Sequence, residues 1–195
     1  MNIRRAGIAA AFAACCLLAT PLNAQDRMPP IPADKLTDAQ KKAAEAFAEG
    51  RGYEVVLSAG RGEEALLAPL DPEGKRSRLA GRLDLAQMWD LLRCAAFLVC
   101  PDTGIAHLAR LVGVPTVALY GPGSPISTGP GRFWAQSPFR AVWDPEVPCR
   151  DQDRLFERKL VWLRQCWRSV AECGDPICIR RIQVAHVIGA IEALV

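Results

Sequence analysis

The chain has 195 residues, 50% of them hydrophobic and 23% charged, with a formal net charge of +3. That composition is globular, and the length suits one domain or one domain with an appendage. So small a charge excludes a strongly basic nucleic-acid or membrane-surface binder, and no nucleic-acid partner is expected.

In chain order, residues 1–24 come first. MNIRR is a short basic start, AGIAAAFAACCLLAT an apolar run, and PLNA ends at Ala24 before Gln25. This is the layout of a secretory signal peptide, which predicts an exported, periplasmic chain. The run is too short to cross a bilayer, and nothing later approaches about 18 apolar residues, so no transmembrane span is expected. A lipoprotein acylated at Cys15 fits less well, because Phe12 stands where a lipobox usually carries Leu. Residues 25–36, QDRMPPIPADKL, read as a proline-rich linker. In TDAQKKAAEAFAEG, Thr37 and Gln40 make a capping-box pattern and Gly50 supplies a stop, so residues 25–52 are a linker and a short helix. The apolar face of that helix is mostly alanine plus Phe47, and it buries little area.

The pattern changes at Tyr53. Val55–Leu57 is a short strand, SAGRG a turn, and Glu63–Ala68 a helix with acidic residues in its first turn. DPEGKRS reads as a loop. Asp84 then caps a helix with Gln87 at its third position, and Leu85, Met88, Trp89, Leu92 and Ala95 keep helical spacing. Phe97–Cys100 is a strand, Thr103–Val112 a helix, and Thr116–Tyr120 a strand, with Arg140–Val142 as one more. The spacing of Phe156, Leu160, Leu163, Trp167 and Val170 predicts an amphipathic helix over 154–170, and 182–195 reads as a last helix. Strands alternating with helices predict an α/β fold, a parallel sheet with helices on both faces.

Where the strand ending at Cys100 gives way to a helix, the sequence places Asp102, Thr103, Gly104 and His107. In an open parallel sheet, ligands bind beyond the carboxyl ends of strands, and the next helix offers free N–H groups to an anion. A diphosphate suits Thr103, Gly104 and His107 there. The same residues also suit a ligand-free helix start, with Asp102 as the cap, Gly104 relieving crowding and His107 packed in the core.

The stretch CPDTGIAHLARLVGVPTVALYGP resembles the signature of glycosyltransferase family 9, the heptosyltransferase-like enzymes, and the likeness extends over about residues 53–195. It implies half of a GT-B fold, a Rossmann-like domain that binds a nucleotide-sugar donor such as ADP-heptose for transfer to a lipopolysaccharide-type acceptor. By that resemblance Asp102, Thr103, Gly104 and His107 surround the donor diphosphate. Glu63 or Glu64 reaches the ribose, Leu83 lines the adenine pocket, and Gly121, Pro122 and Gly123 border the sugar. No cofactor is implied, and no catalytic residue is identified. The family's base and acceptor surface belong to an N-terminal half with no counterpart before Tyr53, so the chain is expected to be inactive alone. RMPPIPADKLTDAQKKAAEAFAEGRGYEV resembles instead the opening of exported proteins related to carboxymuconolactone decarboxylase, which points to two sequences joined near Gly52–Val55. A secretion leader also conflicts with the cytoplasmic donor of the family.

Six cysteines follow the leader. Cys149, Cys166, Cys173 and Cys178 lie in the tail without the paired CxxC knuckles of structural zinc sites, so disulfides, buried thiols and a metal are all open. His186, on the last helix, reads as a packing residue.

Overall fold

The computed structural model describes residues 50–155, 157–169 and 171–195. The leader, the linker, the helix expected over 37–49, and Cys15 lie outside the described residues. The elements are β1 (Val56–Leu57), a 3₁₀ helix (Glu64–Leu70), β2 (Ser77–Arg78), α1 (Leu85–Cys94), β3 (Leu98–Pro101), α2 (Gly104–Val112), β4 (Thr116–Leu119), α3 (Pro125–Thr128), β5 (Phe139–Val142), β6 (Arg154–Leu155), β7 (Arg158–Lys159), α4 (Ile177–Arg180) and α5 (Val184–Glu192).

Strands β3, β4 and β5 form a parallel sheet in that order, with Leu98 opposite Thr116 and Thr116 opposite Phe139. Side chains alternate between faces, as the pleat requires. Leu98, Cys100, Ala118, Tyr120, Phe139 and Ala141 turn to one face, where Ile105 and Ala106 of α2 cover them. Val117, Leu119 and Val142 turn to the other and meet Ile182, Val187 and Ile191. With both faces covered, β4 can be buried along its length, and Thr116, Val117 and Ala118 are fully buried, the Thr116 hydroxyl donating to Val114 O at 2.8 Å. Burying one such valine contributes about 1.5–3 kcal/mol. The α/β architecture matches the expectation from the sequence.

Helix α1 starts as anticipated: Gln87 N–H donates to Asp84 Oδ1 at 2.8 Å, and Asp84 N–H donates to Gln87 Oε1 at 2.9 Å. Helix α2 stops at Gly113, whose φ of 86° is the left-handed conformation that a C-cap favours in glycine. Its inner face packs on α1 through Leu92, Ala109 and Val114.

Three elements differ from expectation. The helix expected over Glu63–Ala68 is a 3₁₀ helix with Pro69 inside it and only Leu67 buried. Proline lacks the N–H that an α-helical ladder needs, and one buried residue gives little packing to enforce one. Ser77–Arg78, expected within and just beyond a loop, instead pairs with β1. Asp71 organises that turn. Its buried carboxylate accepts Lys75 N–H at 3.0 Å, Arg76 N–H at 3.2 Å and the Arg78 guanidinium at 2.9 Å. Burial alone would raise the Asp71 carboxyl, but these donors overcome it and hold it below the usual range.

The third difference is the largest. Among the described residues no helix occupies 154–170; β6 and β7 form an antiparallel hairpin turning at Glu157, whose φ is 63°. Gln152 and Gln165 pair beside it through backbone bonds of 3.2 and 3.0 Å, and Gln165 Nε2 donates to Arg154 O at 2.6 Å. Of the expected apolar stripe, Leu163 is fully buried while Trp167 is 47% exposed; Phe156 and Val170 lie outside the described residues. A helical spacing needs a partner along its whole face to become a helix, and this one touches the core at Leu163.

Leu163→Ala is expected to cost about 2–5 kcal/mol by the usual range for a filled core position. Trp167→Ala is expected to cost well under half as much. Urea unfolding of both variants checks this; equal losses would restore the amphipathic helix.

Candidate functional site

Strand β3 delivers its chain to the start of α2. Asp102 N–H still donates to Leu119 O at 3.0 Å, extending the ladder by one residue, so the N-cap is Thr103 rather than the expected Asp102. The reason lies in the Asp102 side chain, which turns away from the helix. Its two carboxylate oxygens accept the Thr128 hydroxyl at 3.2 and 3.1 Å. Thr103 makes no side-chain cap bond. Among the described residues, no acceptor takes up the N–H of Thr103, Gly104 or Ile105. Thr103, Gly104 and His107 are exposed, and a Cβ built on Gly104 meets nothing within 4 Å. The four expected residues therefore stand together, three of them at an open helix start with unclaimed donors.

Two residues the sequence reading passed over shape this place. Arg110, on α2 and only 6% exposed, donates to Gly129 O and Thr128 O, both at 3.0 Å, and lies 3.2 Å from His107 Nδ1. Its guanidinium stacks on Phe139 at 4.6 Å. It thereby fixes the turn that carries Thr128 against α2. Tyr120, fully buried, stands beside Asp102 at the end of β4. The signal in the sequence was an arginine four residues after buried Ala106, hence on an inward face. Arg110 Nε is buried with no partner among the described residues, while the Tyr120 hydroxyl faces the Asp102 carboxylate and the Thr128 hydroxyl.

Charge is balanced rather than accumulated here. Burial raises the Asp102 carboxyl above its ordinary range, while the Thr128 hydroxyl, His107, the Tyr120 hydroxyl and Arg110 pull against it. Burial, then the Asp102 charge, pushes Tyr120 up to about 12.

The other expected residues divide into two groups. Glu63 accepts Gly60 N–H at 2.7 Å and Glu64 accepts Gly62 N–H at 3.1 Å, so both close their own turn. That turn meets the half-buried Leu83 stretch through Gly81 N–H to Ala59 O at 2.9 Å. Among the described residues no hydrogen bond or ion pair joins this group to the start of α2. The loop after β4 is also split. A Cβ on Gly123 would stand 2.6 Å from Asp102 Oδ2, so the loop presses on the helix-start site there. A Cβ on Gly121 would stand 2.4 Å from Ile179, and Pro122 lines a cavity with the four tail cysteines. Gly121 and Pro122 thus face the tail.

Cys149, Cys166, Cys173 and Cys178 are free thiols around that cavity of about 370 Å³. Among the described residues no group of three or more His, Cys, Asp and Glu is placed to hold a metal ion. His186 is exposed rather than packed, on a smaller cavity with Asp144 and Arg181. No described helix is long and apolar enough to cross a membrane.

The family model described as glycosyltransferase family 9 (heptosyltransferase) matches residues 41–156. Lipopolysaccharide heptosyltransferase 1 of Pseudomonas aeruginosa is 32% identical over 158 residues, 79% of this chain and 42% of that protein. Lipopolysaccharide heptosyltransferase 2 of Escherichia coli is 39% identical over 85 residues, 40% of this chain and 24% of the relative. The structure of the E. coli ADP-heptose lipopolysaccharide heptosyltransferase II superposes with a TM-score of 0.56 at 21% identity, covering 79% of this chain and 39% of that one. The chain therefore spans less than half the length of these relatives.

Because the raised Asp102 carboxyl keeps its proton in the folded state to higher pH than in the unfolded one, its contribution to stability is greatest below the ordinary aspartate range. It falls as pH rises through the folded value. Thr128→Val removes the strongest influence holding that value down. Carbon NMR of the Asp102 carboxyl is expected to show its midpoint move upward; no movement, or a fall, would contradict the placement.

Proposed function

The chain belongs to glycosyltransferase family 9, and from that premise we propose that the start of α2 binds the diphosphate of a nucleotide-sugar donor. The observation that carries the reading is the unclaimed N–H set of Thr103, Gly104 and Ile105 on an exposed helix start. Such a terminus has partial positive charge and donors aimed outward, which suits an anion. The Thr103 hydroxyl and His107 stand within one helical turn of it, and the Arg110 guanidinium, 3.2 Å from His107 Nδ1, lies behind.

The donor is a nucleotide diphosphate sugar of the ADP-heptose type, and the acceptor a lipopolysaccharide-type glycan. Relatives named as lipopolysaccharide heptosyltransferases support both choices. In such a transfer the leaving diphosphate gains negative charge as the glycosidic bond breaks. Preorganised amide hydrogens that strengthen their hold at that moment lower the barrier. Glu63, Glu64 and Leu83 form the complementary end for the ribose and base, set on the turns that follow β1 and β2.

Gly104→Ala separates binding from folding. Gly104 has no positive φ and an added methyl meets nothing in the fold, so thermal stability is expected not to fall. The methyl adds bulk at the helix start where the diphosphate would approach, and ADP affinity by calorimetry is expected to drop about tenfold or more, roughly 1.4 kcal/mol. His107→Ala is expected to weaken ADP in the same direction. Unchanged affinity in both variants would overturn the reading.

A further inference from the structure

The tail cavity is set apart from the start of α2, and its chemistry is that of sulfur. Four cysteines line it together with Arg168 and Pro122. One nitrogen atom bridges the backbone of Cys149 and the sulfur of Cys166. Arg168 Nη1 donates to Cys149 O at 2.7 Å and to Cys166 Sγ at 3.6 Å. The same guanidinium is anchored by Asp151, at 2.7 and 3.0 Å, so its position is fixed independently of the sulfur. The Gln152–Gln165 backbone pair lays the two chain segments against each other just beyond. Both cysteines are half-buried and open to the cavity, whereas Cys178 is 8% exposed and packed against Gly121.

We propose that Cys149 and Cys166 are a reactive dithiol that takes up small disulfide molecules and closes to an internal disulfide. Cys166 reacts first, because its sulfur lies on the cavity against the Arg168 guanidinium, whose positive charge draws an anionic small disulfide to it. The Cys166 thiolate attacks one sulfur of the small disulfide, forms a mixed disulfide and expels one small thiolate. Cys149 then loses its proton to solvent, attacks the Cys166 sulfur and expels the second small thiolate. Two protein thiols are oxidised by two electrons, one small disulfide is reduced to two thiols, and the protons lost by the cysteines end on those thiols. Burial first, and then the neighbouring sulfurs of Cys166 and Cys173, raise the Cys149 thiol, consistent with a resolving rather than an attacking role.

The bridge has a mechanical consequence. Cys149 and Cys166 flank the β6–β7 hairpin, so the new bond closes its base, and the Cys166 N–H, which donates to Pro122 O at 2.9 Å, links that base to the loop that follows β4. This proposal does not depend on nucleotide binding at α2.

The experiment exposes the full reduced chain to oxidised glutathione, quenches with acid and maps the peptides by mass spectrometry without reduction. A Cys149–Cys166 linked peptide is expected, with Cys173 and Cys178 still free to alkylation. Cys149→Ser is expected to stop at a stable glutathione adduct on Cys166. Arg168→Gln is expected to slow the first exchange several-fold. No linked peptide, a Cys173–Cys178 link in its place, or linkage at the same rate in concentrated urea would overturn the proposal. The wild-type map decides the matter even where a variant does not fold.

Discussion

Two buried arginines take up the backbone carbonyls released where the parallel sheet ends, and the loops beyond that edge depend on them. A strand that leaves a sheet exposes C=O groups that its neighbours no longer pair, and burying such groups unpaired costs about 1–3 kcal/mol each. Arg150, 3% exposed, donates to Gly121 O at 2.7 Å and Tyr120 O at 3.0 Å, and also to Asp144 O. Arg110 does the same farther along the loop, for Thr128 O and Gly129 O at the end of α3. A guanidinium carries five donors in a rigid fork and no acceptor, so one side chain can replace the partner strand that an irregular loop lacks. Each also lays its flat face on an aromatic ring, Arg150 on Trp143 at 5.2 Å and Arg110 on Phe139 at 4.6 Å.

Placing two cations at one edge has electrostatic consequences. Burial lowers the Arg150 pKa, against which neighbouring thiols and Asp144 act. Near Arg110 the compensating charge is Asp102, itself raised by burial. The Thr128 hydroxyl joins the two, since its side chain donates to Asp102 while its carbonyl accepts from Arg110. Removing any one member leaves another buried and unpaired, so this polar cluster behaves as a unit. It also explains why Asp102 does not cap α2: the carboxylate is engaged below, and the helix start stays open above.

The sheet and its crossovers were legible in the sequence because their signals are local and agree with their packing. The short apolar runs of β3 and β4, the Asp84–Gln87 box and Gly113 each say the same thing that the tertiary contacts say. The site was legible in part: Asp102, Thr103, Gly104 and His107 come together because they share one strand-to-helix turn. Arg110, Tyr120 and Thr128 were not, since their roles arise only when the turn after β4 folds back on α2. The hairpin at β6 and β7 was misread for the opposite reason. Its apolar spacing is helical, but its backbone is held by glutamine and arginine side chains whose partners are distant in sequence, and no periodicity encodes those.

The loop after β4 connects the two chemically distinct regions. Gly123 lies against the Asp102 carboxylate and Gly121 against Ile179, in both cases closer than a Cβ allows, with Cys178 in contact beside Gly121. Between them Pro122 receives the Cys166 amide, and Arg150 holds the carbonyl of Gly121. Three consecutive residues are thus pinned at one end to the helix-start site and at the other to the sulfur-lined tail. A shift of the tail has no slack in which to dissipate, because protein interiors deform by steps rather than continuously. Whatever fixes the tail therefore also fixes the wall of the site at Gly123.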